Sequence, residues 1–266
     1  MLFRSDHINV FPEYEKYFDQ FKLLTQNMAK NAIFIYNQND PECVRVSEEA
    51  PPGIKRISYT VPDYKTKEGH TILKIKQKEY KTSLFGKHNM ENISAALNIC
   101  RFLGIREDNF FEFLLDFKGA ARRQELIFEN KDSKVFFDFA HAPSKVKATV
   151  EAFREFFPDR KLITILELHT YSSLNKKFIP EYHQSLQPAD NAIVYFDPEV
   201  LKSKNLPFLD QTFIKRSFGQ DDLQIFTQTI DLQNILKEKI QERNTVIVIM
   251  TSGNLGGIQL QKILHL

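Results

Sequence analysis

The chain has 266 residues, enough for two modest domains, and its 42% apolar and 26% charged residues can build a buried core. A net charge of only +2 gives no broad footprint for nucleic acid or an anionic membrane. No run is long enough to span a bilayer, and residues 1–7 lack the apolar core of a signal peptide. Cys43 and Cys100 stand in no metal or redox spacing, which suits two reduced thiols in a cytoplasmic protein.

Asp6 and His7 come first, followed by Phe11–Pro12 and a helical pattern that places Tyr14, Phe18, Phe21, Leu24 and Met28 on one face. Lys22 borders that face and reads as a surface lysine. A strand is expected at 32–36, then a polar loop through Pro41, then shorter strands at 54–59 and 71–75, separated by Pro62 and Gly69. The run 74–81 holds four lysines with Ile75 and Glu79, a solvated strand face.

Residues 84–97 read as a turn that opens a helix. Gly86 permits a close backbone approach and Asn89 is a candidate cap. Met90, Ile93, Leu97, Cys100 and Leu103 recur at helical spacing before Gly104 closes the element. Asn89 and Asn92 leave the first turn on one side, where two neutral amides can read a ligand or serve their own backbone. Residues 110–117 form another apolar helix.

In the second half, Arg122 and Arg123 follow Gly119. A guanidinium can fork around ribose or phosphate oxygens, although adjacent arginines also serve solubility. A short strand, 135–137, ends in Asp138 and leads through Phe139, Ala140 and His141 to a helix carrying Val146, Val150, Phe153 and Phe157. A carboxylate at the C-terminal end of a strand lies where open α/β sheets bind ligands. A strand at 161–166 runs into a loop, 167–175, that carries His169, Ser172 and Ser173. A strand at 191–196, a helix at 231–241 and a buried strand at 245–250 follow, and a glycine-rich turn through Asn254 enters the last helix. This alternation predicts an α/β protein whose second half is a mainly parallel, Rossmann-like sheet.

The stretch Gly86–Lys87–His88–Asn89–Met90–Glu91–Asn92–Ile93–Ser94–Ala95–Ala96 resembles G-x-H-N-x-x-N-x-x-A-A, a hallmark of the Mur ligases, ATP-dependent amide-bond-forming enzymes of peptidoglycan precursor synthesis. The resemblance implies that His88, Asn89 and Asn92 lie at a nucleotide site between a central ATPase domain and a C-terminal domain. The segment around Asp6–His7 is similar to a family segment whose histidine helps hold magnesium, which makes His7 the implied metal ligand. Lys22, fifteen residues on, has the spacing of a lysine that is carbamylated in some members. Gly119–Ala120–Ala121–Arg122–Arg123–Gln124–Glu125 resembles G-x-x-R-R-[FLQ]-E, implying an ATP contact for Arg123. Asp138–Phe139–Ala140–His141–Ala142–Pro143 resembles D-[YF]-[AG]-H-x-P, implying an ATP-side role for Asp138 and a place beside the incoming amine for His141, the two implied catalytic residues. Many relatives carry a second histidine where this chain has Ala142.

Family members that add L-alanine carry two arginines in the 167–175 loop, and this chain has Thr170 and Ser173 there. Glu167, Ser172, Ser173 and Leu174 match most of the pattern of the family's murein-peptide branch, and the turn around Asn254 resembles that branch too. His141, His169, Ser172, Ser173 and Asn254 are therefore the implied amine-substrate residues. No glycine-rich phosphate loop, G-x-x-G-K-[ST], occurs in the chain. The resemblance thus implies a C-terminal fragment, with 1–117 a partial central ATP-binding domain and 118–266 the C-terminal domain, inactive alone. The expected whole enzyme uses ATP and Mg2+ to join an L-alanyl-γ-D-glutamyl-meso-diaminopimelate peptide to UDP-N-acetylmuramate through an acyl phosphate. Alternatives are an L-alanine ligase fragment or a non-catalytic module that binds nucleotide or peptide.

Overall fold

The computed structural model describes residues 10–11, 13–67 and 69–264, and the chain divides into two units, Met1–Lys118 and Gly119–Leu266. In the first unit, α1 (Tyr14–Gln26) buries Phe18 in a small core with Val46, Phe21, Phe34 and Cys43. Its apolar stripe is narrower than the spacing predicts: Leu24 is exposed and Met28 lies beyond the helix end. The Arg45 guanidinium sits 3.9 Å from the centre of the Phe18 ring and roofs this core instead. Strand β1 (Ile33–Asn37) runs through the expected turn, 38–40, into a helix that the sequence reading does not anticipate. Asp40 accepts from the N–H groups of Glu42 and Cys43 at 3.0 and 3.1 Å, and Pro41 starts α2 (Pro41–Glu48), where its missing N–H costs nothing. Burial, with Asp40 nearby, pushes the Cys43 thiol up to about 11 and keeps it an inert, small apolar group.

Strand β2 (Lys55–Tyr59) pairs in parallel with β1. Next comes an antiparallel meander of β3 (Asp63–Lys67), β4 (His70–Ile75) and β5 (Lys78–Thr82). The lysine run is therefore a hairpin, turning at Lys76, whose φ is 57°, with its lysines in solvent. Tyr64, Leu73 and Tyr80 are cross-strand neighbours and pack toward α3 (Lys87–Phe102) and α4 (Glu107–Asp116). Met90, Ile93 and Leu97 fill that core, and Tyr80 stacks on Phe111 at 3.7 Å. The left-handed residue after α3 is Gly104, and Ile105 N–H donates to Cys100 O at 2.9 Å, closing a Schellman motif. That reversal carries Leu103 outward, 68% exposed, although helical spacing assigns it to the core face.

The second unit runs β6 (Glu125–Glu129), β7 (Ser133–Asp138), α5 (Pro143–Phe156), β8 (Lys161–Glu167), β9 (Asn191–Tyr195), α6 (Pro198–Ser203), α7 (Gln211–Phe218), β10 (Gln224–Phe226), α8 (Thr229–Ile240), β11 (Thr245–Met250) and α9 (Leu260–Leu264). One sheet has the order β10-β9-β8-β11-β7-β6, parallel except for β6 at the edge. Every residue of β11 is buried, as a central strand covered on both faces requires. Ile247 and Ile249 belong to the core with Leu232, Leu236 and Ile240 of α8. On α5, Phe153 meets Phe136 of β7 at 4.9 Å between ring centres. The antiparallel β6, with its irregularity between Leu126 and Phe128, and the short β10 carry no clear periodic signal, and the sequence reading omits both as well as α7, which is short but amphipathic. Among the described residues no helix is long and apolar enough to cross a membrane.

Asp190 fastens α5 to the sheet by accepting from Leu162 N–H at 2.7 Å and from the Arg154 guanidinium at 2.6 Å. Desolvation opposes its charge, but these two donors outweigh that and hold its carboxyl below the usual range. A depressed pKa stabilises the fold above the unfolded value of about 3.9 and loses that contribution as pH falls through the folded one. Asp190→Asn should therefore lower the urea midpoint at pH 7, with wild type and variant converging below about pH 4. A gap that is unchanged in acid would exclude this linkage.

Candidate active site

The chain returns from β10 to lay β11 between β8 and β7, so the C-terminal ends of β7, β11 and β8 lie side by side. Open α/β sheets leave their ligand crevice at this kind of order reversal. Asp138 ends β7 and is 3% exposed. Its Oδ2 accepts from Gln124 N–H at 2.9 Å and its Oδ1 from Ala140 N–H at 2.7 Å, while the Thr149 hydroxyl of α5 lies 3.5 Å from Oδ1. The Asp138 carbonyl also accepts from Thr251 N–H at 3.0 Å. Burial of an ionised carboxylate requires such donors. Both oxygens accept from the protein's own backbone, so Asp138 fastens the neighbouring loops together.

The loop that carries Arg122 and Arg123 is contorted. Arg122 and Gln124 both adopt left-handed backbone, with φ of 59° and 48°, a conformation that costs a side-chain-bearing residue energy. Donation from Arg122 N–H to Glu125 Oε2 at 2.7 Å, together with the Asp138 contact, holds the loop in place. Both arginine side chains reach the surface above Phe139, and Arg122 Nη2 donates to Gly253 O at 3.3 Å. His141 is half-buried and its Nδ1 lies 3.0 Å from Phe139 O. A carbonyl only accepts, so Nδ1 carries the proton and Nε2 is the basic nitrogen of the neutral ring. The buried Tyr182 donates its hydroxyl to His141 O and fixes the backbone beneath the ring.

At the end of β8, Glu167 is 3% exposed. Its Oε2 accepts from the Thr251 hydroxyl and from Leu255 N–H at 3.2 Å, and its Oε1 lies 3.8 Å from His169 Nδ1. Gly253 fits between them only because it has no side chain: a Cβ there would stand 2.6 Å from Glu167 Oε2 and 2.8 Å from His169 Cγ. Ser172 and Ser173, expected to face a substrate, are 2% and 1% exposed. Ser173 N–H donates to Thr170 Oγ1 at 3.1 Å and the two hydroxyls are 2.9 Å apart, so the loop closes on itself. Asn254 is exposed beside a groove of about 850 Å³ lined in part by Arg122, Phe137, Thr251, Gly253 and Leu255. The sequence reading gives Thr251 and Phe139 no site role. A polar residue directly after a fully apolar strand, and an aromatic residue at a motif position of its own, are the signals that mark them.

In the first unit Gly86, φ 81°, is the residue that caps α3, not Asn89. Asn89 lies in the first turn and donates from Nδ2 to Phe85 O at 2.9 Å, so part of that amide serves the backbone. His88 is half-buried and Asn92 is exposed on the next turn. Lys22 lies 2.8 Å from Glu49 Oε2 and 3.9 Å from Asp19 Oδ1, and the Glu49 contact holds its ammonium charged. In this structure Lys22 is an ion-pairing surface residue. His7, the expected magnesium ligand, lies outside the described residues. Among the described residues no group of three or more His, Cys, Asp or Glu is placed to hold a metal ion.

Residues 1–100 match the Mur ligase middle domain and residues 122–253 match the Mur ligase glutamate ligase domain, and the chain belongs to the Mur ligase family. A UDP-N-acetylmuramate–L-alanine ligase from Desulfitobacterium hafniense (strain Y51) is 28% identical over 199 residues, which cover 71% of this chain and 44% of that protein. One from Lactobacillus delbrueckii subsp. bulgaricus is 30% identical over 205 residues with the same coverage. The chain thus spans about half the length of the curated relatives it matches. In fold it is similar to the UDP-N-acetylmuramate-alanine ligase of Thermotoga maritima, with a TM-score of 0.68 and 17% identity over 96% of this chain and 55% of that one. It is similar also to a murein peptide ligase from Psychrobacter arcticus 273-4, with a TM-score of 0.58 and 20% identity over 94% and 54%.

Asp138→Asn should replace one acceptor by a donor and leave a buried N–H unmatched, a loss of about 1–3 kcal/mol in urea unfolding. Thr149→Ala, which removes only the 3.5 Å contact, should cost less. Equal effects of the two substitutions would show that the carboxylate does not fasten these loops.

Proposed function

We propose that these residues are the nucleotide- and amine-handling part of an ATP-dependent ligase that forms an amide on UDP-N-acetylmuramate in the cytoplasm. The observation that carries this reading is the Asp138-fastened edge, where the arginine loop and the Phe139–His141 turn converge on one carboxylate. In this reading His88, Asn89, Asn92 and Arg123 contact the nucleotide, while His141, His169 and Asn254 border the incoming amine. Asp138 holds Arg123 and His141 in place from below. Ser172 and Ser173 shape the amine loop from inside. ATP would phosphorylate the lactyl carboxylate, and the amine would displace phosphate from the acyl phosphate, chemistry that depends on positioning and charge stabilisation. His141 Nε2, as the basic ring nitrogen, suits acceptance of a proton from the attacking amine. Magnesium would neutralise phosphate charge, with His7 as the ligand this chain offers.

For the amine we favour a peptide, L-alanyl-γ-D-glutamyl-meso-diaminopimelate. The Thr170–Ser173 turn uses its hydroxyls and an N–H internally and has no guanidinium with which to grip the carboxylate of a single amino acid. L-Alanine is the second reading, favoured by the curated relatives, which are named as L-alanine ligases.

An enzyme containing this chain together with a phosphate loop, supplied with UDP-N-acetylmuramate and Mg·ATP, should release ADP with the tripeptide and not with L-alanine. ADP release with L-alanine alone would replace the peptide reading by the second one. Release with neither would mean a module that binds without catalysing.

A further inference from the structure

Adjacent side chains of a regular backbone diverge, yet those of Arg122 and Arg123 return to one ring. The ζ carbons of Arg122 and Arg123 lie 5.3 and 5.1 Å from the centre of Phe139, within the range of cation–π attraction. The left-handed backbone at Arg122 and Gln124 makes this convergence possible. Arg122 lies also 4.9 Å from the Phe137 ring centre. Phe139 also meets the His141 ring at 5.4 Å and 88°, an edge-to-face contact. Two like-charged guanidinium groups on neighbouring residues would otherwise separate into solvent.

We propose that Phe139 is a positioning residue: a single aromatic ring holds Arg122, Arg123 and His141 at fixed separations, so that they move as one body. The inference rests on the ligase reading for what these groups bind, and on the ring contacts alone for how they are held. It makes the aromatic face, not the volume, the property required at position 139. Asp138 acts on the backbone of the same segments from inside, and Phe139 acts on their side chains from outside.

The test is NMR of the 266-residue chain labelled at arginine, phenylalanine and histidine. The Phe139 ring protons should show NOEs to the Hδ protons of both arginines and to the His141 ring. In Phe139→Leu, the Nε–Hε order parameters of Arg122 and Arg123 should fall together and the His141 ring resonances should shift, while the amides of β8 and β11 stay in place. Phe139→Tyr should restore all three signatures. Absence of the NOEs in the wild type, or unchanged arginine order in Phe139→Leu, overturns the proposal. If Phe139→Leu fails to fold, the wild-type NOEs and the Phe139→Tyr spectra decide it. ADP that moves neither Arg123 nor His141 while the NOEs persist would remove the ligase reading and leave the aromatic platform standing.

Discussion

A carboxylate buried at the end of a strand must find donors, and the donors that Asp138 finds decide where the candidate side chains go. Gln124 N–H reaches it from the arginine loop, Ala140 N–H from the turn that leads to His141, and the Thr149 hydroxyl approaches from α5. Through its carbonyl it also receives Thr251 from the loop after β11. Three neighbouring segments and one from near the end of the sequence are thereby fixed against one residue. Loops that carry ligand-binding groups are otherwise mobile by default, and here their fixed ends lie in the sheet.

The order of the strands makes this possible. Because β11 enters last and between β7 and β8, Thr251 arrives beside Asp138 on one side and Glu167 on the other. Glu167 repeats the device on the far side of β11, gathering Thr251, Leu255 and His169 around a second buried carboxylate. Gly253 occupies the gap where no Cβ fits. A parallel sheet with apolar faces on both sides thus ends in a polar rim, where the candidate side chains of this unit stand.

Much of this was legible from residue order. The continuous apolar runs of β8 and β11, and the stripe of Val146, Val150 and Phe153, give the elements of the second unit directly, because burial on both faces leaves an unmistakable pattern. The motif positions also stand out, since a charged residue at the end of such a run must find donors when it is buried. Side-chain direction was not legible. Ser172 and Ser173 look like substrate groups because hydroxyls can be, but local bonds to Thr170 turn the Ser173 hydroxyl inward. The α2 cap formed by Asp40 and Pro41 reads as a loop, since Asn37 to Pro41 has turn composition and only the Asp40 contacts reveal a helix start. Leu103 follows the helical period yet faces solvent because Gly104 reverses the chain.

The candidate residues are distributed over two units, with His88, Asn89 and Asn92 in the first and Arg123, His141 and His169 in the second. The proposed reading assigns Asn89, Asn92 and Arg123 to the nucleotide, and that assignment is the central claim. Its most direct measurement is an NMR titration of the chain with ADP, following the side-chain amides of Asn89 and Asn92 and the Nε–Hε group of Arg123. The account predicts that all three move along a single saturation curve, with one dissociation constant. Shifts confined to one unit, or two curves with different midpoints, would contradict it.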